Sequence, residues 1–251
     1  MLGNIDFTKI LFLDIECVST ERHIDNVSEK RLQELWAKKA KSIGALAKDM
    51  DEQSDEYAEA LAFSYRDKAA IYAEYGKIIC ISVGMMVRED GELKIRLKSF
   101  ADHDEKQLLT DFSALLRKFD PNKNYICGHN IKEFDVPYMC RRMVVHQLPL
   151  PPMLDIYGKK PWDIAYFLDT MLLWKFGDFK SFTSLNTLTA LFGIPSPKDD
   201  IDGSQVGTVY WDEDDLDRIS TYCMKDVLAT AQVMLYYEHL PLLTEAQILY
   251  V

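Results

Sequence analysis

The sequence predicts a mixed α/β fold, in which a sheet with parallel and antiparallel strands carries helices on its faces. Three observations support this prediction. A short run rich in Ile, Leu and Phe at residues 9–17 is typical of a buried strand. Strand patterns at 77–87 and 91–100 are joined by a turn at 89–91, which predicts an antiparallel hairpin. Amphipathic helical patterns then alternate with short apolar runs.

A helical segment follows the first strand. From Ser19 to about Tyr75 the chain is rich in Glu, Lys, Ala and Leu, and it contains no proline and a single glycine. This composition favours two or three amphipathic helices. Since no repeat or linker-like stretch indicates a second domain, we expect one domain over residues 1–251, with residues 19–75 as a helical insertion.

Helices and strands are predicted to alternate after the hairpin. Apolar residues at helical spacing predict helices over 104–119 and from Phe134 to Gln147. Short strands are expected at 125–130 and at about 162–168, the latter as the last strand. Three helices complete the prediction: one capped by Asp169 and running through Lys175, one over 184–193 that Gly193 stops, and one from Asp212 to about His239.

Composition limits the functions open to the chain. Asp and Glu outnumber Lys and Arg by 40 to 29, and the net charge of −11 argues against a protein that coats duplex DNA or binds an anionic membrane. The five cysteines include no Cys-x-x-Cys pair, so neither a disulfide framework nor a structural zinc site is predicted. With no basic leader and no apolar run near about 18 residues, we expect a cytoplasmic protein without a membrane span.

The first candidate site residues are Asp14 and Glu16 in the predicted first strand. Alternate strand residues share a face, so both carboxylates point to one place. Acids in an apolar strand are costly to desolvate unless they are paired or bind a metal, and a divalent cation would relieve their repulsion. The same spacing recurs at Asp90 and Glu92 in the predicted turn. The pair alone therefore also fits a structural role at a strand end.

The segment NIKEFD, residues 130–135, is the most specific motif in the chain. It lies where a short strand leads into a helix, at the end of the strand where open α/β sheets bind ligands. Asn130 offers an amide, Phe134 a flat apolar face and Asp135 a carboxylate. Taken singly, Asp135 fits a helix cap and Phe134 fits core packing, whereas the combination favours a functional site.

The third motif, YCMKD, places Tyr222 and Asp226 one turn apart on the final helix, where they share a face. They lie beside the predicted core stripe of that helix and can face the sheet. Tyr210 and Asp214 have the same spacing, but they lie in a strongly acidic region that we expect to be exposed. We therefore take Tyr222 and Asp226 as the functional pair.

Other polar and aromatic residues fit structural roles better. Asp169 fits a helix cap, and His129 fits a hydrogen-bonded structural histidine, with a phosphate contact as its alternative. We expect the aromatic residues Trp162, Phe167 and Trp174 in the core rather than in a platform that stacks on bases.

The three motifs, in this order and on these elements, resemble those of 3′–5′ exonucleases of the DEDD superfamily, in its tyrosine-bearing branch. More narrowly, the chain resembles stand-alone bacterial exonucleases related to the proofreading domain of B-type DNA polymerases. The resemblance covers about 9–17 and 76–240, and it implies a ribonuclease H-like fold. It extends to the loop GIPSPKDDIDGSQV, with Lys198, Asp202 and Gly203.

The resemblance also implies roles for the residues of the motifs. Two divalent metal ions, Mg²⁺ or Mn²⁺, would be held by four acids: Asp14, Glu16, Asp135 and Asp226. Tyr222 would orient the attacking water through its hydroxyl, since a reference pKa near about 10 makes it a poor base. Substrate contacts are expected from Asn130, Phe134 and Cys17, of which Cys17 stands where relatives commonly have threonine.

The expected function is metal-dependent 3′–5′ exonuclease activity on single-stranded nucleic acid, with DNA favoured over RNA. One alternative is an exoribonuclease that trims RNA 3′ ends, because no residue identifies a 2′-hydroxyl contact. A second alternative is a nucleic-acid-binding or interaction module whose cleft the insertion blocks. The sequence indicates no particular protein partner.

Overall fold

A mixed six-stranded sheet forms the centre of the computed structural model, which describes residues 5–196 and 200–251. Its strands lie in the order β5-β4-β1-β2-β3-β6. The central pairs β1–β2 and β2–β3 are antiparallel, and β1–β4, β4–β5 and β3–β6 are parallel. The strands are β1 (Ile10–Ser19), β2 (Gly76–Glu89), β3 (Glu92–Ala101), β4 (Tyr125–Gly128), β5 (Phe167–Asp169) and β6 (Ile248–Tyr250). The predicted α/β fold is confirmed.

Eight α-helices flank this sheet within the described ranges. They are α1 (Lys30–Ser42), α2 (Asp55–Lys68), α3 (Glu105–Leu116), α4 (Asp135–Val145), α5 (Thr170–Lys175), α6 (Leu185–Phe192), α7 (Val206–Thr208) and α8 (Leu216–Tyr237). The long helix α8 packs across β1, β2 and β3, while the core on the opposite face includes apolar residues of α3 and α4. None of these helices combines the length and apolar character that a membrane crossing requires.

The segment between β1 and β2 has a small core of its own. Trp36 of α1 is fully buried there, and its ring meets Tyr65 of α2 edge-on with 5.5 Å between centroids. The Tyr65 hydroxyl lies 2.8 Å from the Thr20 hydroxyl at the end of β1. Arg66 forms an ion pair with Asp212, in the π-helical turn Val209–Glu213 that precedes α8. The helical segment is therefore attached to the sheet at the end of β1.

A buried ion pair holds α4 in place. Arg142 of α4 donates to both carboxylate oxygens of Glu105, at 2.6 to 3.1 Å, and also to the carbonyl of Ala73 at 2.8 Å. Glu105 in turn accepts a hydrogen bond from the amide of Ile78 in β2. Because the pair joins α4 to α3 and to the sheet, it also positions Asp135, the first residue of α4.

Several boundaries differ from the sequence prediction. Residues Pro161–Ile164 form a 3₁₀ turn, so that β5 begins only at Phe167, and the predicted core residue Trp162 is 70% exposed. The prediction of 162–168 as the last strand was also wrong, because β6 adds a parallel strand beside β3. Both elements are too short for the strand alternation to be visible in the sequence.

The start of the final helix also differs. Asp214 adopts a left-handed conformation with φ of 55°, and Asp215 caps α8, which therefore begins at Leu216 rather than at Asp212. The expectation that Tyr210 is exposed was wrong as well. Its ring is buried, and its hydroxyl lies 3.1 Å from the Lys77 ammonium and 3.0 Å from Nδ1 of His103.

Candidate active site

The alternation of β1 places Asp14 and Glu16 on the sheet face that α8 covers. On that face, Ile10 and Phe12 pack in the same apolar cluster as residues of α8, whereas the intervening Leu11 and Leu13 belong to the opposite cluster. Asp14 and Glu16 follow on this same face of β1, closer to the end of the strand. The structure therefore brings these acids to one place, as their spacing predicts.

A thiol of α8 completes a tight group with these acids. The donor atoms of Asp14, Glu16 and Cys223 all lie within 4.8 Å of one another. The Cys223 thiol donates to the backbone and side-chain oxygens of Asp14, both at 3.5 Å. Burial raises the pKa of this thiol well above its usual range, and negative neighbours add to the effect. Cys223 therefore stays protonated and holds Asp14 by hydrogen bonding.

Asp135 enters the same site from the first turn of α4. It is 4% exposed, and its carboxylate accepts hydrogen bonds from its own amide and from that of Ile15. Burial raises the pKa of Asp135 to about 7, and the charges of Asp169 and Asp226 contribute. The pKa of Asp14 is also well above its usual range, because of burial first and then of the charges of Asp226, Asp135 and Glu16. The other three predicted acids thus all act on Asp14.

Tyr222 and Asp226 face this group from α8. Both side chains are buried, and the Tyr222 hydroxyl forms a hydrogen bond with Asp226. Burial raises the pKa of Tyr222 far above its usual value, and the charges of Asp226 and Glu16 raise it further. The hydroxyl therefore keeps its proton and acts as a hydrogen-bonding group rather than as a base.

The loop between β4 and α4 is held by Asp169. The Asp169 carboxylate caps α5, as predicted, by accepting from the amides of Met171 and Leu172 at 3.0 and 3.2 Å. It also accepts from the amides of Asn130 and Lys132 at 3.1 and 3.2 Å. Asn130 has a left-handed φ of 63°, a conformation that asparagine tolerates well. Asp169 therefore fixes the shape of the second motif.

The remaining predicted contact residues surround the acids. Phe134 is half-buried and packs against the ring of Tyr138, with 5.4 Å between centroids. Cys17 is half-buried beside Tyr138 as well, and burial raises the pKa of its thiol. A Cβ placed on Gly203 would lie 4.0 Å from the hydroxyl of Tyr222. Of the other two loop residues, Asp202 accepts a hydrogen bond from the amide of Ser204, and Lys198 lies outside the described residues.

A family model described as a predicted 3′–5′ exonuclease related to the exonuclease domain of PolB matches residues 71–246. This match covers well over half of the 251 residues. The chain belongs to this exonuclease family. The second and third motifs lie within the matched range, whereas β1 and both long helices of the 19–75 segment precede it.

The fold is also similar to a solved structure of the family B DNA polymerase from the hyperthermophilic archaeon Pyrobaculum calidifontis. The TM-score is 0.53 at 14% identity, and the likeness covers 91% of this chain and 24% of the polymerase. The chain thus spans about a quarter of that protein, and at this identity the likeness shows the ribonuclease H-like fold alone. A comparison with curated proteins gives no match.

Two contributors to the site of this PolB-related exonuclease were not predicted. Cys223 was assigned to the core face of α8, and its contact with Asp14 follows only from the way α8 crosses β1. Asp169 was assigned a cap alone. Its second role could have been predicted from the sheet order, because β5 ends beside β4, where the second motif begins. Neither contact has a signal in the local sequence.

The donor set fits divalent cations such as Mg²⁺ or Mn²⁺. Both ions prefer carboxylate oxygens, and the site gathers carboxylates whose mutual repulsion raises their pKa values. A cation between Asp14 and its neighbours would remove this repulsion and favour the ionised forms. The carboxylates, rather than the protonated Cys223 thiol, are therefore the groups that could hold metal.

The raised pKa of Asp135 predicts that the metal-free protein loses stability as pH rises. The unfolded carboxyl has a pKa of about 3.9, whereas the folded group has about 7, so the folded state binds more protons between these values. The stability that the protonated Asp135 carboxyl gives to the folded state is fully present below a pH of about 4 and is lost as the pH rises through about 7. Melting temperatures in EDTA should fall less steeply with pH in Asp135→Asn than in the wild type or in the exposed-site control Asp217→Asn. Identical slopes in all three proteins would contradict this expectation.

Proposed function

We propose that this protein is a metal-dependent 3′–5′ exonuclease that removes nucleotides from single-stranded DNA. The observation that carries the proposal is the convergence of acids from three separate segments. Asp14 and Glu16 come from β1, Asp135 from α4 and Asp226 from α8, and their charges act on one another. Such a buried cluster is costly unless cations bind it.

Each residue of the cluster has a distinct part in this proposal. The four acids would hold two divalent cations: Asp14, Glu16, Asp135 and Asp226. When bound, these cations supply positive charge that stabilises the negative charge developing on the phosphate during hydrolysis. Tyr222 orients the attacking water through its protonated hydroxyl. Cys223 and Asp169 are positioning residues, because one holds Asp14 and the other holds the second motif. The tyrosine in this place supports assignment to the tyrosine-bearing branch.

Three residues are proposed to contact the 3′ end of the nucleic-acid substrate: Phe134, Asn130 and Cys17. The Phe134 ring is half-buried, so that one part packs on Tyr138 and the rest remains accessible for stacking on a base. The relation of the family to a DNA polymerase domain favours DNA over RNA as substrate. The partial exposure of Asp14 argues against a site that the helical segment blocks.

We also propose that residues 19–75 are a helical insertion in one domain that spans residues 1–251. The separate core around Trp36 supports this view. A bacterial origin, a stand-alone enzyme and a cytoplasmic location stay predictions from the sequence.

The test is a panel of 5′-labelled DNA and RNA strands of equal sequence, incubated with Mg²⁺, Mn²⁺ or EDTA. We expect stepwise shortening of single-stranded DNA from its 3′ end with either metal and none in EDTA. Faster degradation of RNA would instead support 3′-end trimming of RNA. Binding of the strands without any shortening would contradict the enzyme and support a binding module.

A further inference from the structure

A cleft of about 440 Å³ opens between the acidic cluster and the helical segment. It is lined from three directions: by the end of β1, by α2 with the turn that follows it, and by the loop that leads into α7. Its lining residues include Cys17, Phe63, Lys68, Ile71, Gly203 and Ser204. A volume of this size lies within the range of small-ligand sites.

The cleft lies next to the candidate active site. Cys17 directly follows Glu16 in β1, and it lines the cleft. On the other side, Gly203 lies beside the Tyr222 hydroxyl, since a Cβ at that position would be 4.0 Å from the oxygen. The cleft therefore borders the candidate active site at two points, the residue after Glu16 and the loop beside Tyr222.

The helical segment presents an apolar wall to this cleft. Phe63 of α2 is 69% exposed, and Ile71 in the next turn is 51% exposed. That turn is fixed, because the carbonyl of Ala70 accepts a hydrogen bond of 2.9 Å from Tyr138 of α4. Two large apolar side chains thus face solvent at a cleft that also contains Cys17 of β1, a position suited to the face of a base.

The charge of the wall also suits a nucleotide. Arg66 and Lys68 line the cleft together with one acid, Asp67, which pairs with Lys68 at 3.0 Å and balances its charge. Arg66 is paired with Asp212, but Arg22 contacts the same carboxylate at 2.7 Å, so that this trio keeps a net positive charge. In a chain of net charge −11, this is a local surface that an anion can approach.

We propose that this cleft binds the 3′-terminal nucleotide of the substrate strand, with its base against Phe63 and Ile71. The inference rests on the proposed nuclease function and extends it by assigning substrate contacts to the helical segment. Phe63 lies before the range that the exonuclease family matches, and Ile71 is its first residue. The released nucleoside monophosphate is expected to bind in the same place.

The test compares the affinities of Phe63→Ala, Ile71→Ala and the wild type for deoxyadenosine 5′-monophosphate and for deoxyribose 5-phosphate, by calorimetry with Mg²⁺. Loss of base stacking should weaken binding of the nucleotide by roughly 5- to 150-fold in Phe63→Ala and leave binding of the sugar phosphate unchanged. Tyr157→Ala, which removes an aromatic ring that is 95% exposed and lies outside the cleft, is the matched control and should bind like the wild type. Since Phe63 is largely exposed, its variant should keep the wild-type melting temperature.

Two results would overturn the assignment: no binding of the nucleotide by the wild type, or unchanged binding by both Phe63→Ala and Ile71→Ala. The panel of labelled strands separates this failure from that of the proposed function. A wild-type enzyme that shortens the strands while both Phe63→Ala and Ile71→Ala bind the nucleotide normally refutes the cleft alone. A wild type that shortens no strand refutes the nuclease.

Discussion

Replacement of Asp14 by Asn is expected to lower the exonuclease rate by more than about 1,000-fold. This loss is larger than the one that follows when an enzyme loses a single hydrogen-bond donor to the charge of its transition state. The reason is that Asp14 lies at the centre of the cluster, where Glu16, Asp135 and Asp226 all raise its pKa. An amide there would weaken divalent-ion binding and would remove one charge from the repelling group. The metal-free variant should therefore melt at a higher temperature than the metal-free wild type.

Asp90→Asn is the matched control for this variant. Asp90 begins the second Asp-x-Glu sequence of the chain, but it lies exposed in the hairpin turn with a φ of 54°. Asparagine is well suited to this conformation, so the control should keep both activity and stability. A wild-type rate in contaminant-free Asp14→Asn protein would show that Asp14 does not belong to the active site.

Tyr222→Phe is expected to slow the chemical step by about 10- to 1,000-fold, the range for one positioned hydrogen-bonding or acid–base group. The phenylalanine keeps the ring in its buried place, and substrate binding should barely change because the acids and Phe134 remain. Asp226→Asn, one turn further along α8, should instead raise the metal concentration that activity requires. Single-turnover rates over a series of metal concentrations separate the two effects.

Tyr210→Phe is the control for a merely structural tyrosine. Tyr210 is also buried, and its hydroxyl is hydrogen-bonded to Lys77 and His103. Its variant should lose about 1 kcal/mol of stability and keep its activity. If Tyr222→Phe behaves like Tyr210→Phe, with a lower melting temperature and an unchanged single-turnover rate, the tyrosine has no part in the chemistry.

The sequence allowed the strands of the hairpin and the two pairs of site residues to be predicted from local patterns, whereas the meeting of all four acids was implied by the resemblance to 3′–5′ exonucleases. The alternation of β1 puts Asp14 and Glu16 on one face, and the turn at Asp90 and Gly91, both with positive φ, forms the predicted hairpin. Helical spacing likewise placed Tyr222 and Asp226 together. These features depend on neighbours within a few residues of each other.

Contacts between distant segments could not be predicted in this way. The burial of Tyr210 depends on Lys77 and His103, which come from other parts of the chain. Only the crossing of α8 over β1 brings Cys223 to Asp14, and β6 is defined by pairing with β3 rather than by its three residues. The cleft beside Cys17 has the same origin, since three separate segments line it.

The most direct test of the central claim is the anomalous diffraction of crystals soaked in Mn²⁺ with deoxyadenosine 5′-monophosphate. We expect two manganese peaks among the carboxylates of Asp14, Glu16, Asp135 and Asp226, and their loss in Asp14→Asn crystals treated identically. Crystals saturated with Mn²⁺ that show no peak among these four carboxylates would contradict this claim.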